Sequence, residues 1–135
     1  MKCRILSVLA VSGVLMIPAV PLLAHHSFAA EYDSNKPVAL SGTVTKVEWT
    51  NPHVRFYIDV KDKEGATNNW EFELGSPNGL MRKGWTRNSL KPGDAISVDG
   101  YLAKDGAHLA NARQVALADG RKVFAGAADD GGPSK

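Results

Sequence analysis

The sequence predicts an all-β fold, a small five-stranded barrel with one short helix between strands 3 and 4. Three observations carry that reading. Beyond residue 37, five segments are rich in β-formers, and most of them alternate apolar with polar side chains. Clusters of turn-forming residues separate these segments. Only one connection, Ser76 to Gly84, has the start and stop chemistry of a helix.

Val38 to Trp49 reads as a long first strand. Val38, Leu40 and Val44 share one parity, Val47 and Trp49 take the other, and Gly42 lies early in the run. A glycine-containing strand whose buried face changes partway is bent or bulged, and such strands turn barrel corners. Thr50-Asn51-Pro52-His53 ends it, because Pro52 has no N–H to give a ladder. In the second strand Val54, Phe56, Ile58 and Val60 point inward, and Arg55, Tyr57 and Asp59 outward. Lys61 to Gly65 forms a hairpin loop. In the third strand Trp70, Phe72 and Leu74 share one face. Glu71 and Glu73 share the other, about 6.5–7 Å apart along the strand, where outward acids serve solubility. Ser76 is a helix cap, Pro77 suits the first helical position and Gly84 ends the turn. Leu90 to Asp94 is a turn. Ile96, Val98 and Leu102 mark a fourth strand, and Leu109 to Leu117 a fifth, before a turn at Asp119-Gly120. Three strands, a helix and two strands, with the first strand bent, fit an OB-type barrel, a partly open Greek key. A small open sandwich with the same strand count is the alternative.

The front of the chain has a different character. Lys2 and Arg4 precede an apolar stretch, Ile5 to Ile17, and Pro18 and Pro21 follow. This is the layout of a secretory signal peptide, residues 1–24, and at about 13 residues it is too short to span a membrane. Cleavage after Ala24 leaves His25 as the new N-terminus. Cleavage after Ala29 fits the small-residue rule better but lies far from the apolar stretch. The reading is an exported, periplasmic protein with a domain over residues 25–126 and a disordered tail, 127–135, without large apolar side chains. Loss of the leader removes Cys3, the single cysteine, so no disulfide holds the domain and metal ligands must be nitrogen, oxygen or methionine sulfur. From His25 onward there are 14 basic and 14 acidic residues. That balance lacks the electrostatic footprint of a nucleic-acid binder. No phosphate-binding loop occurs, and Ser76 and Ser89 have no recognisable base and orienting acid.

Several motifs together resemble one known family. They are His25-His26-Ser27-Phe28-Ala29-Ala30-Glu31-Tyr32-Asp33, Gly42-Thr43-Val44-Thr45-Lys46-Val47-Glu48-Trp49-Thr50-Asn51-Pro52-His53, Phe72-Glu73-Leu74-Gly75-Ser76-Pro77 and Gly84-Trp85. The chain, from His25 to about Gly126, is similar to small exported proteins of Gram-negative bacteria classed as a domain of unknown function. The resemblance implies a periplasmic β-barrel-like domain and brings no established activity. Far more loosely, the chain resembles small periplasmic OB-fold copper carriers in which histidine and methionine bind Cu(I) beside a tryptophan.

The histidines are the candidate metal ligands. A free amine at His25 and the same residue's Nδ1 close a chelate ring on Cu(II), and one more histidine makes a three-nitrogen set; copper heads the divalent affinity order. The plain alternative is a solvated His-His terminus. His26 is the reserve ligand, through its ring, the amine and the intervening amide. His53, after Pro52, is the second ligand or else a turn residue bonded to nearby backbone. His108 reads as an exposed strand-edge residue. Met81 and Trp49 read as core. Glu31 and Asp33 are available as an oxygen ligand or as orienting groups. The functional expectation is a periplasmic copper-binding protein, in transport, storage or delivery, with His25, His26 and His53 at the metal. The competing expectation is a metal-free module binding a periplasmic protein, peptide or glycan through exposed Arg55, Tyr57, Trp85 and Arg87.

Overall fold

The computed structural model describes residues 28–126 and 132–133. The expected leader and cleavage point, His25 and His26 lie outside the described residues, as do positions 127–131 and 134–135 of the tail. A single helical turn, α1 (Phe28–Glu31), runs into β1 (Tyr32–Glu48). Then follow β2 (Arg55–Lys61), β3 (Thr67–Glu73), α2 (Pro77–Arg82), β4 (Ala95–Ala103), β5 (Leu109–Ala116) and β6 (Lys122–Phe124). The described strands number six rather than five. The sixth has three residues after the Asp119-Gly120 turn, too few to show any alternation in sequence. The first strand also starts earlier than Val38, because Tyr32 already pairs with Ala103.

The sheet order is β3-β2-β1-β4-β5-β6, and a parallel pairing of β3 with β5 closes the first five strands into a barrel. β1 makes this possible by serving two partners. Its first part pairs with β4 through Thr43↔Ala95, and from Thr43↔Asp59 onward it pairs with β2. The register shifts between Val44 and Lys46, so the bulge residue is Thr45 rather than Gly42. Gly42 matters for another reason: a β-carbon there would overlap the carbonyl oxygen of Asp59. The corner is thus turned by a bulge beside a close backbone approach, as the change of buried parity foretold. Gly100 plays the same part in β4, where a β-carbon would overlap the Asn111 carbonyl oxygen beside a second register shift.

Inward positions of all five barrel strands meet in one core. Phe56 and Phe72 stack at 5.3 Å among Ile58, Leu74, Val98 and Val115. α2 caps one end. Ser76 Oγ accepts from Gly79 N at 3.2 Å, and Pro77 and Leu80 are buried. A smaller apolar cluster lies outside the barrel, where Phe28 and Tyr32 pack with Ala103, Tyr101 and Leu109. No helix among the described residues is long and apolar enough to cross a membrane.

Gly42→Ala and Gly100→Ala each force backbone apart at a barrel seam. Each is expected to lower stability by about 2 kcal/mol or more, read as a shifted urea midpoint at unchanged slope.

Candidate functional site

The β2–β3 hairpin sets Arg55 opposite Glu73 and Tyr57 opposite Glu71. Phe56 and Phe72 take the core, so these four side chains share the outer face. Just before β2, Val54 N donates to Gly75 O and Leu74 N donates to Val54 O. These bonds hold His53 beside the end of β3. The Asn51–Pro52 peptide preceding it is cis.

Four charged or ionisable groups converge there. His53 Nδ1 lies 2.7 Å from Glu73 Oε1. Arg55 Nη2 donates to Glu73 Oε2 at 3.0 Å, and Arg55 Nη1 donates to Glu71 Oε1 at 2.6 Å. The Glu73 side chain is only 7% exposed, whereas His53 keeps 27% of its side-chain surface. An ionised carboxylate only accepts hydrogen bonds, so Nδ1 carries a proton, and in the neutral ring Nε2 is then the nitrogen with the lone pair. A carboxylate holding one ring nitrogen while the other remains open is the arrangement that orients metal-binding histidines. Burial opposes the charge on Arg55, but Glu71 and Glu73 outweigh it and raise its pKa.

Tyr32, Asn111 and Tyr57 border the cluster. Tyr32 is buried beside Glu73 without meeting hydrogen-bond geometry, and burial, reinforced by the Glu73 charge, pushes its ionisation far above the ordinary range. Asn111, the register partner of Glu73 on β5, is buried with Oδ1 unpartnered. Tyr57 donates to Glu48 Oε2 at 3.2 Å, and Lys46 pairs with the same carboxylate.

Of the predicted ligands, His53 is the one within the described residues. His108 is exposed, and its ring stacks on Trp70 with centroids 4.6 Å apart. Met81 is not core: it is 51% exposed, because the short α2 turns Pro77 and Leu80 inward and Met81 away. Trp85 is not a surface contact residue: it is 3% exposed, and its Nε1 donates to Phe124 O at 3.0 Å. Arg87 is exposed, as expected. Asp33 Oδ1 accepts from Asn35 N, and its carboxylate lies 3.9 Å from Lys36. Among the described residues, no three His, Cys, Asp or Glu side chains are placed to hold a metal ion together.

Glu73 is the residue the sequence reading passed over. It reads as a solubilising outward acid, yet it is buried because Arg55, His53 and Tyr32 surround it. Counting from the expected Lys61–Gly65 loop sets Arg55 against Glu71; the loop closes one residue later, at Lys61↔Thr67, and that shift brings Arg55 opposite Glu73.

The strand order and this rim cluster define a small OB-type barrel carrying an oriented histidine. The chain belongs to the family of unknown function DUF6152, which it matches over residues 14–112. No curated protein matches it. Among solved structures it is similar to the mitochondrial single-stranded DNA binding protein Rim1 of S. cerevisiae. The identity is 11% and the TM-score 0.48, over 61% of this chain and 92% of that one. It is also similar to the N-terminal domain of PriB from Thermoanaerobacter tencongensis, with 17% identity and TM-score 0.42, over 62% of this chain and 96% of that one.

Two outcomes test this geometry. Arg55→Gln strips Glu73 of a charged partner and is expected to cost about 1–3 kcal/mol in urea unfolding. Tyr32 supplies a pH test. Below pH ~10 its phenol is protonated in both folded and unfolded chains, so pH does not act through it. Above that, the unfolded chain loses the proton and the folded chain keeps it, so stability falls by up to ~1.4 kcal/mol per pH unit. Tyr32→Phe should flatten the alkaline limb of a stability–pH profile by that slope.

Proposed function

We propose that the mature protein binds one copper ion at the rim of the barrel, for metal transport, storage or delivery in the periplasm. The observation that carries this reading is His53, whose Nδ1 is fixed on buried Glu73 at 2.7 Å while the side chain keeps 27% of its surface. His53 Nε2 supplies one nitrogen. The amine and Nδ1 of His25 supply two more once cleavage after Ala24 exposes them, with His26 in reserve. Three residues span at most about 11 Å, so such a terminus is tethered within that distance of Phe28. Phe28 packs on Tyr32, which borders Glu73. Three nitrogens suit Cu(II). Glu73 and Arg55 hold the His53 ring in place and are not themselves ligands.

Native mass spectrometry of protein recovered from the periplasm, with one equivalent of copper and a mild competitor, tests the reading. The expected result is a mass starting at His25 with one copper retained. Retention should fall at least tenfold in His53→Ala and in a protein with one extra N-terminal residue. A mass starting at Ala30, or copper held equally well by His53→Ala, overturns it and leaves the metal-free interaction module, now resting on Arg55, Tyr57 and Arg87.

A further inference from the structure

We propose that Phe28 and Tyr32 are positioning residues for His53. The segment they anchor covers Glu73 from outside the barrel and thereby holds the His53 ring with Nε2 open. The inference rests on the reading of His53 as a ligand.

Glu73 points away from the core side chain of Phe72, so its burial cannot come from the barrel interior. The cover comes in part from the N-terminal segment. Tyr32, 2% exposed, sits beside Glu73. One helical turn earlier, Phe28 packs against Tyr32 at 5.7 Å, meets Tyr101 edge-on at 5.7 Å and carries the Arg113 guanidinium 4.7 Å above its ring. Between these two anchors, Lys104 N donates to Glu31 O at 2.9 Å and Lys104 Nζ donates to Ala29 O at 2.5 Å. The segment from Phe28 to Tyr32 is therefore a strap, pinned by rings at its ends and by Lys104 at its middle.

Docking the strap has an opposing cost. Asn111 Oδ1 is buried beside Glu73 without a hydrogen-bond partner, and the buried Tyr32 phenol interacts with the Glu73 carboxylate but falls short of good hydrogen-bond geometry. Such atoms regain partners when water reaches them. Ring contacts favour the docked strap and these two poorly satisfied polar atoms favour the lifted one, so the strap is a two-state element. In the lifted state water competes with His53 Nδ1 for the Glu73 carboxylate. The ring then loses its fixed tautomer. A ligand on Nε2 favours the docked state, and by reciprocity copper steadies the strap.

The test uses the mature-length protein with ¹⁵N-labelled histidine. Long-range ¹H–¹⁵N spectra report the His53 tautomer in the absence of metal, and exchange of the Lys104 amide reports strap docking. In the unmodified chain His53 should show a single Nδ1–H tautomer. Phe28→Ala should speed Lys104 exchange, mix the His53 tautomers and weaken copper retention about tenfold, the effect of losing an orienting partner. Phe28→Leu should restore all three. Tyr32→Phe, which removes one poorly satisfied buried hydroxyl and keeps the ring, should slow Lys104 exchange. This second variant reads the strap even where Phe28→Ala folds poorly. Lys104 exchange that quickens while His53 keeps its single tautomer overturns the proposal. Tautomers that mix while copper retention is unchanged uphold the strap and overturn the ligand role of His53.

Discussion

The fold depends on one strand being long enough and bent enough to belong to two halves of a barrel. β1 has 17 residues, and Thr43 is where its ladder passes from β4 to β2. Straight, it could pair along its length with only one flat sheet. The Thr45 bulge and the side-chain-free surface of Gly42 let it turn, which brings β3 round to β5 for the short parallel seam Glu71↔Leu109, Phe72↔Ala110, Glu73↔Asn111. That seam places two polar residues of the outer face, Glu73 and Asn111, side by side. The rim cluster is thus a consequence of closure.

The second constraint is electrostatic. A carboxylate that loses its water must find hydrogen-bond donors, or it is expensive to bury. Glu73 finds two, on Arg55 and His53, one for each oxygen. The satisfied carboxylate then organises its neighbours: Arg55 spans to Glu71, His53 loses its choice of tautomer, and Tyr32 is kept neutral. Stability and chemistry use the same atoms here. A substitution at Glu73 would disturb both, whereas the exposed Lys46–Glu48 pair, screened by solvent, governs neither.

Much of the architecture was legible because hydrophobic alternation is a local signal. Val54 to Val60, the Ser76-Pro77 cap and the Gly84 stop each announce themselves within a few residues. The parity change in β1 foretold its bulge, although Gly42 drew attention from Thr45. The losses were non-local. β6 is three residues long and exists because Ala125 N donates to Arg113 O and β5 offers an edge. Trp85 looked exposed beside Gly84 until Phe124 supplied a carbonyl from 39 residues away. Glu73 kept its character as an outward acid, since outward is what alternation says. That an outward position can still be covered depends on Phe28 and Tyr32, which lie more than forty residues earlier. Of the candidate site, sequence alone marked His53 and the Pro52 before it, and it had no means of choosing the partner for Nδ1.

The division between interior and rim also limits where chemistry can reside. The barrel interior is lined with hydrocarbon, Phe56 against Phe72 and aliphatic side chains around them, so its side chains offer a metal ion no donors. Polar atoms with orientation occur instead on the outer face, where the hairpin end, the β3–β5 seam and the start of β1 meet. On the proposed reading this is economical for a small domain without cysteine: a rigid frame fixes one imidazole, and a terminus created by export supplies the remaining nitrogens. A preformed three-ligand pocket would have to hold its donors together against mutual repulsion or desolvation before metal arrived. Splitting the donors between a fixed rim and a tethered terminus avoids that cost and makes metal capture depend on correct export.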